Sequence, residues 1–205
     1  MDNRIRLSVF VLLILFSSGP LFAKPHHSLQ TLLQRFSSFK ADFSQQTGTG
    51  RQAQHAQGKL VISKPNQFWW YVSTPNKQYY ISNGTTLWNY QVDLQQITQS
   101  RLSDKIAATP LALLSGDNPH LDQLFTIKTT NTTTTQTYTL TPKAKESLTK
   151  SITLQFKQNT LIRMRLVNTL SQITDIQFSH VILNQPIDKT LFNFKPPTGV
   201  DVIRQ

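Results

Sequence analysis

The chain lacks cysteine, which excludes disulfides, thiolate metal sites, a cysteine nucleophile and a lipid-modified N-terminal cysteine. Carboxylates are also scarce: the 205 residues include ten Asp and Glu, and Glu146 is the one glutamate. Paired-carboxylate acid–base chemistry therefore has few candidates. Charged residues make up 15% of the chain and hydrophobic residues 38%, so the composition is not that of a highly charged disordered chain.

Positive charge dominates what charge there is. Lys and Arg number 21 against 10 Asp and Glu, which gives a net charge of +11. The basic residues are dispersed along the chain without forming a cluster, so the sequence does not predict a nucleic-acid partner. Two interpretations remain open, a solvated basic face and an anionic partner.

The N-terminal segment has the pattern of a secretory signal peptide. Basic residues precede an apolar run at residues 7–16, and Ala23 is a small residue at which a signal peptidase could cut. An uncleaved anchor is the alternative, but the run is shorter than the roughly 20 apolar residues that span a bilayer. We expect residues 1–23 to be a signal peptide and residues 24–205 to be one exported, soluble domain.

The rest of the chain begins with a helical pattern and continues as strands. Apolar residues recur at helical spacing and Ser28 can cap their start, so we predict a helix over residues 28–39. The period changes to two at Phe39, and β-branched and aromatic segments then follow at hairpin spacing. Residues 47–57 are predicted as a loop or hairpin tip, and residues 188–194 as a turn with a last strand. The other predicted strands begin at residue 39 or cover residues 58–63, 67–73, 78–82, 85–91, 94–100, 124–130, 135–142, 149–157, 161–168 and 173–183.

About eleven short, mostly sequential strands predict an antiparallel sheet. A strongly twisted sheet of that size tends to curl, and its concave face then needs apolar cover. The N-terminal helix can supply it, together with a short apolar helix at residues 110–114, for which Thr109 is a cap and Gly116 a stop. The predicted fold class is therefore mainly β, a strongly curved antiparallel sheet with covering helices.

No enzyme motif is found in the sequence. The serine-hydrolase elbow, the zinc-protease helix motif, the phosphate-binding glycine loop and the dinucleotide fingerprint are all missing. The five histidines lack the spaced carboxylates or thiols that a metal site needs. We therefore expect a protein that is not an enzyme and that uses no metal and no cofactor.

The most informative segment is residues 68–72, where aromatic residues occupy both faces of a predicted strand. Phe68 and Trp70 face one side together with Val72, and the two residues between them, Trp69 and Tyr71, face the other. One interpretation is a core on both faces. The other is a concave cavity lined by Phe68 and Trp70, whose flat apolar walls suit alkyl chains.

Seven motifs carry a family resemblance and occur in order across nearly all of the chain after residue 23. They are Ser37–Gln45 (SSFKADFSQ), Gly58–Leu60, Lys64–Trp70 (KPNQFWW), Ser82–Tyr90 (SNGTTLWNY), Thr109–Leu111, Thr139–Lys143 (TLTPK) and Phe192–Val200 (FNFKPPTGV). Together they resemble the LolA family of periplasmic outer-membrane lipoprotein carriers. The resemblance implies an incomplete antiparallel barrel of eleven strands, with helices that form a lid over an apolar cavity.

The resemblance also implies a function and its partners. Members of the family accept triacylated lipoproteins from an inner-membrane ABC transporter (LolCDE), cross the periplasm, and deliver them to an outer-membrane receptor (LolB). We expect the same of this chain, acting as a monomer. A periplasmic binding module for another amphiphile or a saccharide is the alternative, with Trp69, Trp70 and Tyr71 as stacking faces. Sugar sites usually add carboxylates to amides, and acids are few here.

Nine apolar residues are the candidates for binding acyl chains. They are Leu29, Leu33 and Phe36 on the first helix, Leu111 and Leu114 on the lid helix, and Phe43, Leu60, Phe68 and Trp70 on the sheet wall. Ordinary core packing is the alternative for each of them, because a closed and empty cavity would bury the same side chains.

Lys64 is a departure from the family pattern. The family usually has an Arg at this position, just before Pro–Asn, and its side chain is associated with holding the lid shut through backbone carbonyls. Lys has three donors on a flexible stem, whereas Arg has five in a rigid fork. Lys64 is therefore the candidate latch, and a surface lysine beside a turn is the alternative.

Overall fold

The structure is a computed structural model, and it describes residues 28–102, 110–116 and 120–205. The predicted signal peptide at residues 1–23 and the predicted cap at Thr109 lie outside these residues. The helices are α1 (Leu29–Gln34), α2 (Pro110–Ser115) and α3 (Leu121–Leu124), and 3-10 turns lie at Gly50–Gln52 and Lys189–Phe192. The strands are β1 (Ser38–Thr47), β2 (Gln54–Ser63), β3 (Gln67–Thr74), β4 (Gln78–Asn83), β5 (Thr86–Gln91), β6 (Gln96–Arg101), β7 (Phe125–Asn131), β8 (Thr135–Pro142), β9 (Thr149–Lys157), β10 (Thr160–Asn168), β11 (Ile173–Leu183) and β12 (Asp201–Arg204).

Twelve strands form one sheet in the order β12-β6-β5-β4-β3-β2-β1-β11-β10-β9-β8-β7. Strands β1 to β11 pair with their neighbours in antiparallel fashion, and β12 joins β6 in parallel. The sheet is open, with β12 and β7 at its two edges. The prediction of a mainly β fold built on a curved antiparallel sheet is confirmed.

The hydrophobic core lies on the concave face of this sheet. Alternate residues of β1, such as Phe39 and Phe43, are buried there, and so is Leu60 of β2. Leu33 of α1 and Leu114 of α2 belong to the same buried cluster. The two short helices therefore cover the inside of the curve, as the sequence predicted. Within the described residues, no helix is both long and apolar enough to cross a membrane.

The first helix, α1, ends at Gln34, so it is shorter than the predicted range 28–39. Just beyond its end, the carbonyl of Arg35 accepts a hydrogen bond from Nδ2 of Asn184 at 3.0 Å. This partner from the far end of the chain satisfies one of the carbonyls that a helix end leaves open. Phe36, predicted on the inner face of the helix, lies beyond its end but is buried.

Three further details of the strand prediction were wrong. Strand β2 begins at Gln54, inside the predicted loop at residues 47–57. The strand predicted within residues 188–194 is instead a 3-10 turn, because the Asp188 carboxylate accepts a hydrogen bond from the backbone N of Thr190 at 2.9 Å and caps the turn. Strand β12, which follows two prolines, was not predicted, so the sheet has twelve strands rather than about eleven.

The convex face carries a second, smaller apolar cluster beneath the C-terminal segment. Phe192 is fully buried there, and Phe194 lies 6.0 Å from Trp88, measured between ring centroids. Nζ of Lys189 fastens the segment by donating to Oγ of Ser63 at 2.7 Å and to Oε1 of Gln67 at 2.9 Å. Both faces of the central strands are therefore partly covered.

Candidate ligand cavity and its lid

A cavity of about 400 Å³ opens on the concave face. Trp70 of β3 and Tyr80 of β4 form one wall, and Leu166 of β10 and Ile176 of β11 form the opposite one. Trp70 and Tyr80 are register partners, so strand alternation places both rings on the same face. The curl of the sheet brings the second wall across from the first. The other lining residues are Gln45, Ala56, Val72, Pro75, Asn76, Gln78, Leu111 and Thr174.

The cavity is electrically neutral. Among the described residues that line it, none is acidic or basic. Burial raises the pKa of the Tyr80 phenol above its ordinary value, although the hydrogen bond with Gln78 acts in the opposite direction, so the phenol is uncharged at neutral pH. Nor do any three His, Asp or Glu of the described segments lie close enough together to hold a metal ion. A neutral, largely apolar pocket of this kind fits an alkyl chain.

Helix α2 covers part of the cavity. Leu111 lines the cavity, whereas Leu114 is buried completely in the core. The carbonyl of Ser115, the last residue of the helix, accepts a hydrogen bond from the backbone N of Asn66 at 2.8 Å. A helix of six residues is not stable on its own. The position of α2 therefore depends on these contacts.

The turn between β2 and β3 contacts both α1 and α2. Nζ of Lys64 donates to the carbonyl of Leu33 in α1 at 2.5 Å and lies 4.2 Å from the centroid of the Phe36 ring. Two residues later, the backbone N of Asn66 donates to the last carbonyl of α2. Oγ of Ser82 holds the turn by donating to the carbonyl of Asn66 at 2.8 Å. One turn thus fastens the C-terminal ends of α1 and α2 to the sheet.

Two of the nine predicted acyl-binding residues, Trp70 and Leu111, line the cavity. The other seven are buried in the core beside it: Leu29, Leu33, Phe36, Phe43, Leu60, Phe68 and Leu114. Phe43 joins the two regions, because its ring centroid lies 4.9 Å from that of Trp70. Acyl binding by the seven core residues remains a prediction.

Six apolar lining residues were not among the candidates of the sequence analysis: Ala56, Val72, Pro75, Tyr80, Leu166 and Ile176. The sequence analysis placed Val72 on the same face as Trp70 but did not name it as a lining residue. Tyr80 is the register partner of Trp70, so hairpin pairing could have indicated it. Leu166 and Ile176 lie on strands far along the chain, and only the curl of the sheet brings them to the cavity.

The convex faces of the same strands carry a row of stacked aromatic rings. The centroids of Tyr71 and Tyr79 are 4.7 Å apart with an interplanar angle of 20°, and those of Tyr79 and Tyr90 are 6.0 Å apart with an angle of 16°. The rings pack face against face, so their faces are occupied by one another. This geometry does not favour a sugar-stacking platform, and it places Trp69 and Tyr71 on the outer side, as predicted.

Comparison with known proteins identifies the family. The family profile described as "Outer membrane lipoprotein carrier protein LolA" matches residues 34–195. The chain belongs to the LolA family. As a member of that family it is a periplasmic lipoprotein carrier and not an enzyme.

Relatives in the LolA family match the chain over most of its length. An outer-membrane lipoprotein carrier protein of Coxiella burnetii (strain CbuK_Q154) is 39% identical over 210 residues, which cover 99% of this chain and 100% of the relative. The protein of the same name from Azotobacter vinelandii is 35% identical over 176 residues, which cover 86% of this chain and 83% of the relative.

A solved structure supports the fold. The uncharacterized conserved protein from Thermus thermophilus superimposes with a TM-score of 0.54 at 10% identity, over 87% of this chain and 100% of that one. At this identity the likeness concerns the fold alone.

Proposed function

We propose that this protein binds the acyl chains of lipoproteins in the cavity between β3–β4 and β10–β11, and that α1 and α2 form the lid. The observation that carries the proposal is the neutral, largely apolar cavity of about 400 Å³ beneath a short helix. An acyl chain offers no hydrogen-bonding groups, so a pocket without charges suits it.

The size of the cavity implies that the lid moves during loading. A methylene group takes roughly the space of a water molecule in the liquid, about 30 Å³, so the cavity holds roughly 13 methylenes, or about one acyl chain. Three acyl chains bring about 45 methylenes. Most of that cargo has room only if α1 and α2 leave the concave face. The seven buried core residues would then become the surface on which the chains lie.

Lid opening also explains how a carrier can bind such cargo and still release it. Each buried methylene is worth about 0.8 kcal/mol, so acyl chains leave a bilayer only for another apolar environment. Opening an empty carrier exposes the core leucines of α1 and α2 to water, and this cost lowers the net affinity for cargo. Lys64 acts as the latch, because its hydrogen bond to Leu33 exists only while α1 lies on the sheet.

The partners at each end of the route are part of the same proposal. An inner-membrane ABC transporter of the LolCDE type supplies the energy of loading, and an outer-membrane receptor of the LolB type takes the cargo by binding it more tightly. The chain reaches the periplasm with a signal peptide at residues 1–23 that is cleaved near Ala23. Residues 24–205 then act as a monomeric single-domain carrier without a cofactor.

The direct test is release of an inner-membrane lipoprotein from spheroplasts by the protein purified from the periplasm. We expect the lipoprotein to appear in the soluble fraction in complex with the carrier. Val72→Phe fills part of the cavity and should weaken binding of a fluorescent acyl probe about tenfold or more, since space for at least two methylenes is lost.

The matched control is Ser73→Phe, which adds a ring to the opposite face of the same strand and should leave probe affinity unchanged. If Val72→Phe binds the probe as the wild type does, the cavity is not the acyl site. If the protein binds oligosaccharides and no acyl probe, the proposed function is wrong.

A further inference from the structure

The most exposed leucines of the described chain lie at one end of the sheet. They are Leu94, Leu124, Leu148 and Leu170, with 66%, 54%, 81% and 87% of their surface exposed. In an antiparallel sheet every second strand runs in the same direction. The strands that run toward this end are β1, β3, β5, β8 and β10. Three of the four leucines lie in the turns that follow β5, β8 and β10, and Leu124 lies directly before β7, which starts at the same end.

Three of these leucines belong to neighbouring elements and form what we call the leucine rim: Leu124, Leu148 and Leu170. The carbonyl of Leu124 accepts a hydrogen bond from the backbone N of Lys143 at 2.9 Å, which joins α3 to the turn after β8. The carbonyl of Leu148 accepts one from the backbone N of Thr169 at 3.0 Å, which joins that turn to the turn after β10. The three leucines are therefore held in a fixed order along the rim.

Basic residues are interspersed with the leucine rim. The segment from residue 143 to residue 150 contains Lys143, Lys145 and Lys150 against a single acid, Glu146. Nζ of Lys143 also donates to the backbone carbonyl of Asp122 in α3 at 2.6 Å, so this lysine lies where α3 and the turn meet. Exposed leucines beside lysines are the composition of a surface that enters the headgroup region of an anionic bilayer.

The cavity reaches the same end of the sheet. Pro75 and Asn76, in the turn after β3, line it, and so does Thr174 at the start of β11. Leu170 lies in the short turn between Leu166 and Thr174, which both line the cavity. A surface that touches the rim is therefore next to the site into which an acyl chain would pass.

We propose that the leucine rim docks on the surface of an anionic phospholipid bilayer, with the leucines in the headgroup region and the lysines on lipid phosphates. The inference rests on the proposed function, because it gives the carrier a direct contact with the membranes between which it works. The leucines sit on separate turns and on a helix end, so they offer a fluid lipid surface three insertion points, whereas a folded protein partner would need one continuous patch.

The test measures binding of the protein purified from the periplasm to vesicles by co-sedimentation. One set of vesicles is pure phosphatidylcholine, and the other is phosphatidylcholine mixed with an equal amount of phosphatidylglycerol. We expect binding to the mixed vesicles that weakens with added salt, and little binding to the neutral ones.

Two groups of substitutions separate the contributions. Leu148→Ser with Leu170→Ser should weaken binding to the mixed vesicles about tenfold, because two partly inserted side chains are lost. Lys143→Gln, Lys145→Gln and Lys150→Gln together should weaken it about 100-fold and remove the salt dependence, since each lysine near the surface contributes about a factor of five. Ile182→Ser and Lys157→Gln, on strands away from the rim, are the matched controls and should bind as the wild type does.

The outcomes distinguish this inference from the function on which it rests. Failure of the wild type to bind mixed vesicles, or equal binding by the leucine variant, overturns the membrane contact even if lipoprotein release from spheroplasts is normal. If the wild type does not bind vesicles but the leucine variant loses lipoprotein release from spheroplasts, the rim contacts a protein. This result also overturns the inference. Normal vesicle binding by a protein that releases no lipoprotein supports the membrane contact and refutes the carrier proposal instead.

Discussion

Replacing Lys64 by leucine tests whether this lysine biases the lid. Its Nζ donates to the carbonyl of Leu33 at 2.5 Å and lies 4.2 Å from the ring centroid of Phe36. A hydrogen bond from a charged donor contributes about 1.5–3 kcal/mol, and a cation–π contact at a partly exposed site contributes about 0.5–1 kcal/mol. The lysine is partly exposed and leucine regains some apolar packing, so we take the net loss in the closed state as about 2 kcal/mol.

The sign of the functional effect follows from the competition between lid closure and cargo. A loss of about 2 kcal/mol from the closed state lowers the ratio of closed to open carrier about 30-fold. Opening the lid then costs less free energy, so cargo that binds the open carrier binds with a higher net affinity. The variant should therefore bind an acyl probe more tightly, by up to about 30-fold. The melting temperature should fall by about 4–8 °C, because the closed state is the folded reference.

The assay combines titration of a fluorescent acyl probe with thermal unfolding. Lys64→Arg keeps the charge and the donor, so it should behave as the wild type does. Lys189→Leu is the matched control, because its Nζ makes charged hydrogen bonds of similar length on the convex face, to Ser63 and Gln67. It should lower the melting temperature without changing probe affinity.

The result that would refute the reasoning is a loss of stability without a gain in affinity. If Lys64→Leu melts earlier, as Lys189→Leu does, and binds the probe with the dissociation constant of the wild type, the lysine supports the fold but does not bias the lid. A tighter complex should also hand its lipoprotein to an acceptor more slowly, and transfer at the wild-type rate would count against the latch.

Two further predictions concern the sheet. Gly58→Ala should lower the free energy of unfolding, measured in urea, by about 3 kcal/mol, since a Cβ there would lie 1.8 Å from the carbonyl oxygen of Tyr71. The control is Gly50→Ala, which should cost less stability because no atom lies within 4 Å of its added Cβ. Equal losses of stability in the two variants would contradict the clash. Hydrogen bonds from Arg163 lower the pKa of Asp175 against the opposing effect of burial. The stability that the ionised carboxylate contributes is therefore complete above the pKa of an unfolded Asp, about 3.9. It is lost as the pH falls through the lower pKa of Asp175 in the folded protein. The unfolding free energy of the wild type minus that of Asp175→Asn should therefore be constant near neutral pH and shrink below about pH 4; a difference that stays constant in acid would refute it.

The strands were predictable where their signals are local. The hairpin between β4 and β5 follows from Asn83–Gly84: Oδ1 of Asn83 accepts from the backbone N of Thr85 at 3.0 Å and from that of Thr86 at 2.9 Å. The sequence signal for such a turn lies within four adjacent residues. The same holds for the alternation that separates Trp70 from Trp69.

The features that the sequence did not reveal depend on distant partners. Helix α1 stops beside a carbonyl bonded by Asn184, almost at the other end of the chain, while its apolar spacing continues to Phe36. Strand β12 exists because β6 offers it a free edge, which no local pattern reports. The first residues of β2, from Gln54 on, are polar. Pairing with β1, rather than hydrophobic alternation, therefore determines where this strand begins. The second wall of the cavity was missed for the same reason.

In the proposed mechanism the lid opens without unfolding of the sheet, because the lid and the sheet are held by separate sets of interactions. Neighbouring strands are joined by their own backbone ladders, and none of those ladders includes α1 or α2. Each lid helix has only six residues, far fewer than the roughly 12–15 that make an isolated helix even marginal. Their closed positions therefore depend on the buried leucines and on the turn that contains Lys64 and Asn66. Acyl chains can replace the leucines on the concave face, since both are apolar, but they cannot replace the polar contacts of the turn. That turn is thus the place where a small change in sequence can alter how readily the carrier opens while leaving the sheet intact.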